Sequence, residues 1–313
     1  MTLIVMYKCL RAAALLTALS LAGGALAGCS GGTGAGGNGR VDVVAAFYPL
    51  EYVTKKVGGD RVDVTNLVKP GAEPHDLELN PQQVGAISKA GLVVYLHGFQ
   101  PAVDQAVEGE AAGRALDAAT VTPLLGGHTP IEGGQAHQAE TGADPHIWLD
   151  PTRLAAVADA VAARLGKVDP AHAAEFTRNA AALRTELTAL DSEYRSGLAR
   201  CTSRSIVTSH NAFGYLAQRY GLTQIGITGL TPDAEPTAAR LAEVAQLAKR
   251  EKVKVIFFET LVSPKIAETL ASEVGARAEK LDPIEGLKAG NHADYISVMR
   301  SNLATLHTAL GCS

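Results

Sequence analysis

Residues 169–198 read DPAHAAEFTRNAAALRTELTALDSEYRSGL, and within them Phe176, Ala180, Leu183, Leu187, Leu190, Tyr194 and Leu198 recur at steps of four and three. That spacing predicts one apolar stripe along a single helix face. Asp169 is placed as the N-cap and Pro170 as the first helical residue, where a missing N–H costs nothing. About thirty residues at 1.5 Å each make a rod of roughly 45 Å. No glycine or proline interrupts it from Ala171 to Ser196. A lone stripe without a partner repeat describes a brace for other elements rather than one strand of a coiled coil.

On each side of this rod, short β-branched runs alternate with helical periodicity. Before it, strands are predicted at 41–47 (VDVVAAF), 62–68 (VDVTNLV) and 92–97 (LVVYLH), separated by helices at 50–57, 81–90 and 101–110. After it, strands at 205–209, 223–228, 255–259 and 276–282 alternate with helices near 212–220, 237–252, 264–274 and 292–310. This is the βαβ rhythm of mainly parallel sheets flanked by helices. The predicted fold class is therefore α/β, with two such lobes joined by one long rigid helix and a ligand cleft between them.

The first residues form a separate unit. Lys8 and Arg11 precede an apolar run from Ala12 to Ala22, followed by Leu26-Ala27-Gly28-Cys29. The run is too short for a permanent membrane span, and small residues precede the cysteine, as an export peptidase requires. Leu-Ala-Gly-Cys resembles a bacterial lipoprotein site, so Cys29 is expected to become a lipidated N-terminus. Residues 30–39, SGGTGAGGNG, then make a flexible tether. The expected organisation is a signal peptide over 1–28, a Gly-rich tether over 29–40, an N-terminal lobe over 41–168, the connecting helix over 169–200 and a C-terminal lobe over 201–313. Removing 1–28 discards Lys8 and Arg11 and no acid, which takes the net charge from −4 to −6. With no basic stripe, nucleic acid is excluded as a partner. Of four cysteines, Cys9 is lost with the signal and Cys29 goes to lipid, leaving Cys201 and Cys312 in an oxidising compartment, where a disulfide is expected.

Nine histidines remain to be explained. His97, His172, His292 and His307 sit at a strand end or on or beside helices, and carry no signal. His128 and His137 lie in a Gly-rich, acidic stretch at 126–143 that reads as a loop, with metal capture as one possible use. His75, in Gly-Ala-Glu-Pro-His-Asp-Leu-Glu, His146, in Asp-Pro-His-Ile-Trp-Leu-Asp-Pro, and His210, in Ser-His-Asn-Ala-Phe, end strands or follow them, at the edge where open α/β sheets bind ligands. Asp282, closing the strand before Pro283, offers a carboxylate at the same edge of the second lobe. Three imidazoles and a carboxylate complete a four-coordinate zinc shell. A ligating imidazole passes its other N–H to a carboxylate or carbonyl, and Glu259 at the end of VIFFE is the best placed. Asp144, Glu73 and Glu78 are weaker candidates, better suited to loop caps or salt bridges.

Residues 41–313 resemble the solute-binding lipoproteins of bacterial zinc and manganese ABC importers. The resemblance is carried in order by Glu-Pro-His-Asp-Leu-Glu at 73–78, Asp-Pro-His-Ile-Trp-Leu-Asp-Pro at 144–151, Ser-His-Asn-Ala-Phe-Gly-Tyr at 209–215, Phe-Phe-Glu at 257–259 and Leu-Asp-Pro at 281–283. Glu73 and Leu77 depart from the commoner residues of that family. The resemblance implies that His75, His146, His210 and Asp282 hold the metal in the interlobe cleft, and that 126–143 matches the His-containing loop of zinc-type members. It further implies zinc in preference to manganese as cargo, no enzymatic activity, an ABC permease with its cytoplasmic ATPase as partner, a possible metal chaperone, a monomeric state, and anchorage on the outer face of the cytoplasmic membrane. A secreted zinc hydrolase is the main rival, but His-Glu-x-x-His is missing and residues 41–313, beyond the tether, hold no Gly-x-Ser-x-Gly. A surface adhesin with a structural metal is the third reading.

Overall fold

The computed structural model describes residues 39–126, 142–290 and 293–313. The signal peptide, Cys29, most of the tether, His128, His137 and His292 lie outside the described residues.

Two parallel sheets form as the β-branched runs predict. In the first, β1 (Val41–Ala45), β2 (Val62–Asn66), β3 (Leu92–Tyr95) and β4 (Ala115–Asp117) pair in the order β2-β1-β3-β4, with Val41 opposite Val62 and Val43 opposite Leu92. Helices α1 (Tyr48–Gly58), α2 (Pro81–Lys89) and α3 (Pro101–Glu110) make the crossovers. Asn80 opens α2 with a reciprocal capping box to Gln83, and proline stands in the first turn of all three helices, where no N–H is missed. A two-residue antiparallel pair, β5 (Leu125–Gly126) with β6 (Ala143–Asp144), follows.

The second sheet contains β7 (Ser205–Thr208), β8 (Thr223–Gly226), β9 (Val255–Phe258) and β10 (Arg277–Lys280) in the order β10-β9-β7-β8. Helices α6 (Gly214–Tyr220), α7 (Ala238–Arg250), α8 (Lys265–Val274) and α9 (Tyr295–Ala309) accompany it. In both sheets the chain builds outward from the first strand on one side and then returns to the other, so each has a switch point: between β1 and β3, and between β7 and β9. In open α/β sheets the crevice beyond such a point, at the carboxyl ends of the strands, receives ligands.

Between the sheets run α4 (Pro151–Val168) and α5 (Ala173–Gly197). Helix α4, N-capped by the Asp150 carboxylate on Thr152 N–H, is absent from the sequence reading: its Ala-rich run PTRLAAVADAVAARLGKV has a stripe broken by small residues. Helix α5 starts later than the Asp-Pro signal suggests. Pro170–His172 forms a separate 3₁₀ turn, and the Asp169 carboxylate takes the His172 Nδ1 at 2.6 Å instead of capping backbone N–H groups. The stripe behaves as its periodicity demands, and all seven of its members are buried. They join one core that continues from Phe47 and Trp148 in the first lobe to Tyr215, Phe257 and Tyr295 in the second, while a smaller cluster around Val207, Ile256, Val244 and Leu270 covers the other face of the second sheet. Leu187→Ala, at a wholly buried stripe position, is expected to cost about 2–5 kcal/mol, read as the shift in the urea midpoint at unchanged slope.

Cys201 and Cys312 are joined by a disulfide across a sequence separation of 111. No helix among the described residues is long and apolar enough to cross a membrane.

Candidate metal centre

Two of the three histidines arrive by the same local device. In Glu73-Pro74-His75 and in Asp144-Pro145-His146, the acid two residues ahead folds its carboxylate back onto the histidine. Asp144 Oδ1 accepts from the His146 backbone N–H at 2.9 Å and pairs with Nδ1 at 2.8 Å. Glu73 accepts from His75 N–H at 3.0 and 3.1 Å and pairs with its Nδ1. The proline between them fixes φ and so limits the acid to this return. His210 lies two residues beyond the end of β7 and uses the switch-point neighbour instead: its Nδ1 lies 2.9 Å from Oε1 of Glu259, the residue that follows β9. Its carbonyl is held by Thr208 Oγ1 at 2.7 Å and Gln224 Nε2 at 3.0 Å.

All three imidazoles thus have Nδ1 occupied by a carboxylate, which leaves Nε2 as the outward nitrogen. The His146 and His210 Nε2 atoms are 3.4 Å apart, and Glu285 Oε1 lies 3.2 Å from each. His75 Nε2 is buried without a hydrogen-bond partner, and its ring lies 5.7 Å from each of the other two. One donor atom from each of His75, His146, His210 and Glu285 falls within a 4.8 Å cluster, and all four side chains are buried. Donors tetrahedrally arranged at the zinc–nitrogen distance of 2.0–2.1 Å are about 3.3 Å apart. The observed spacings have that edge length. A buried, unpartnered imidazole nitrogen costs free energy unless something fills the position, and a divalent cation does so for all four donors together.

Asp282 is not in the group. Its Oδ2 accepts from Thr260 Oγ1 at 2.5 Å and its Oδ1 from Ile284 N–H at 2.9 Å, while Asn302 brackets its backbone N–H at 3.0 Å and its carbonyl at 2.6 Å. With its carboxylate so engaged, Asp282 shapes the turn, and Glu285, three residues on, brings the carboxylate that lies among the three imidazoles. The turn contains Ile284 at φ 60, a conformation that a β-branched residue adopts only when its surroundings impose it. Trp148 Nε1–H, from the first lobe, donates to the Pro283 carbonyl at 2.7 Å and completes the hold.

Aromatic rings pack against two of the imidazoles. Phe99, beyond β3, meets the His75 ring edge-on at 4.6 Å, and Trp148 lies 5.2 Å from the ring of His146. Glu73, Asp144 and Glu259 are therefore more than loop caps, whereas Glu78 is exposed and outside the group. His97, His172 and His307 are also outside it.

Electrostatics match a cation site. Burial opposes charge on the His210 imidazole, but Glu259 and Glu285 beside it push its pKa up to about 10. His146 is likewise raised, burial being outweighed by Asp144 and Glu285. Burial raises the Glu285 carboxyl and the His210, His146 and His75 imidazoles overcome it, holding it well below the usual carboxylate range. Without metal, the His210 imidazole binds a proton at neutral pH, and a metal must expel it. Zinc binding is therefore expected to release at least one proton at pH 7.5, and affinity is expected to fall from well above the ordinary histidine range of about 6.5 as pH decreases. Calorimetry in buffers of different ionisation enthalpy counts these protons, and a count of zero contradicts this electrostatic picture.

Comparison with known proteins places this geometry among relatives. The chain is 38% identical over 293 residues to the zinc-binding protein AdcA of Streptococcus pyogenes serotype M6, covering 86% of this chain and 56% of that one. The chain thus spans little more than half the length of that relative. It is 34% identical over 282 residues to the high-affinity zinc uptake system protein ZnuA of Bacillus subtilis strain 168, covering 87% and 88% of the two chains. The crystal structure of the Zn(II)-bound ZnuA-like domain of Streptococcus pneumoniae AdcA superposes with a TM-score of 0.73 at 35% identity, covering 87% of this chain and 99% of that domain. Residues 43–309 match the zinc-uptake complex component A, periplasmic, family model. With the paired sheets, the bracing helix and the three-histidine pocket in place, the chain belongs to the ZnuA family of zinc-uptake components.

Proposed function

We propose that this protein captures Zn²⁺ outside the cytoplasm and delivers it to an ABC importer permease driven by a cytoplasmic ATPase, with His75, His146, His210 and Glu285 as the ligands. One observation carries the reading: Glu285 Oε1 and two imidazole Nε2 atoms stand 3.2–3.4 Å apart with a third buried Nε2 unpartnered beside them. Three nitrogens and one oxygen suit zinc, whereas manganese favours harder, oxygen-rich sites. The Irving–Williams order points the same way, with copper as the competitor in vitro. Four protein donors leave no coordination position for a reacting water, unlike the open sites of zinc hydrolases. The protein is accordingly read as a carrier and not an enzyme.

In the same proposal residues 1–28 direct export, lipid on Cys29 anchors the chain to the outer face of the cytoplasmic membrane, 29–40 tether it, and 41–168 and 201–313 act as lobes of a monomer around the helix at 169–200. A metal chaperone that loads the site is compatible with it. The test is competition titration of the purified protein with zinc and manganese against chromophoric chelators near neutral pH. One zinc per chain with manganese displaced is expected, and preference for manganese overturns the proposal.

A further inference from the structure

The Nε2 nitrogens of His146 and His210 belong to chain segments from different lobes, yet stand 3.4 Å apart. Something must fix that spacing, because a metal shell tolerates placement errors of only about 0.5 Å. Helix α6 starts four residues after His210 and presents Tyr215 and Arg219, four residues apart on one face, to the segment 144–150 that carries His146. At one end the Tyr215 hydroxyl donates to the Asp144 carbonyl at 2.6 Å and accepts from Leu125 N–H at 2.8 Å, spanning β5 and β6. At the other end Arg219 Nε lies 3.2 Å from Asp150 Oδ1 and donates to Asp191 Oδ1 on α5 at 2.6 Å. The Arg153 guanidinium, in the first turn of α4, covers the Tyr215 ring at 4.6 Å.

We infer that Tyr215 and Arg219 are positioning residues that clamp segment 144–150 to α6 and so set the distance between the His146 and His210 nitrogens across the interlobe gap. Neither touches the metal position. They act through Asp144, whose carboxylate orients His146, and through Asp150, whose carboxylate starts the helix that follows it. The inference rests on reading His146 and His210 as zinc ligands. The clamp holds the shell rigid, slows zinc release and favours compact tetrahedral geometry over a larger, looser site.

The test measures zinc release into excess chelator, together with the visible absorption of the Co²⁺-loaded protein, which is intense for tetrahedral coordination. Wild type is compared with Tyr215→Phe, Arg219→Gln, Arg219→Lys and Tyr194→Phe, at a temperature where circular dichroism shows each folded. Tyr194→Phe is the control, since it removes an equally buried tyrosine hydroxyl, bonded to the Met299 carbonyl at 2.7 Å on α9. Outer-shell partners of metal ligands are worth about 10–100-fold. Tyr215→Phe and Arg219→Gln are expected to release zinc at least about tenfold faster with weakened Co²⁺ bands, Arg219→Lys to recover part of the loss, and Tyr194→Phe to match wild type. Release within about twofold of wild type in both variants, or an equal change in Tyr194→Phe, overturns the clamp. If wild type itself lacks tetrahedral Co²⁺ bands, the ligand assignment fails instead, and the clamp inference falls with it. Should Tyr215→Phe not fold, the contrast between Arg219→Gln and Arg219→Lys decides.

Discussion

Glu285→Gln is expected to weaken zinc binding by at least about 100-fold, since loss of even an orienting partner outside the metal shell costs 10–100-fold. The substitution keeps the shape of the side chain but removes the charge that sits 3.2 Å from two imidazole nitrogens. Asp282→Asn is expected to lose under about tenfold, because the amide oxygen can still accept from Ile284 N–H and hold the turn. The comparison is made by chelator competition on the two variants side by side. The reverse order, with Asp282→Asn the more damaging, returns the oxygen ligand to Asp282.

Breaking the disulfide is expected to have the second large effect, and to have it on stability alone. For a separation of 111 residues the chain-entropy model gives about 4–5 kcal/mol as an upper figure. Some of the tie survives without sulfur, since Thr202 N–H donates to the Gly311 carbonyl at 3.2 Å and Ser313 N–H to that of Arg200 at 2.9 Å. The double variant Cys201→Ser/Cys312→Ser should therefore fold, lose about 3–5 kcal/mol in urea unfolding, and keep zinc affinity within about twofold. The reason is position: Cys201 precedes β7 on the amino side of the second sheet, while His210, Glu259 and Glu285 occupy its carboxyl edge. An affinity loss comparable to that of Glu285→Gln contradicts the separation of fold stability from binding.

Much of this fold is legible because its elements are locally consistent. The β-branched runs of β1, β3 and β7 and the stripe of α5 satisfy both periodicity and burial, and the structure places them where those patterns point. Helix α4 and the three-residue β4 are less readable, the first because alanine blurs the apolar period and the second because so short a run has none. Three of the proposed ligands are legible as histidines at strand ends. The fourth is not, since the step from Asp282 to Glu285 depends on Ile284 taking φ 60, a conformation that residue type does not announce and that Asn302, Thr260 and Trp148 impose from distant parts of the chain. The orienting acids Glu73 and Asp144 do leave a sequence signal, the repeated acid-Pro-His, whose meaning emerges only when both carboxylates are seen to turn back onto Nδ1.

The most direct measurement is anomalous diffraction at the zinc edge from crystals of the zinc-loaded protein. One peak is required within about 2.0–2.2 Å of the Nε2 atoms of His75, His146 and His210 and of a Glu285 carboxylate oxygen, with Asp282 still bonded to Thr260 and Ile284. A peak that includes Asp282 and excludes Glu285, or one that lies outside the interlobe pocket, contradicts the assignment.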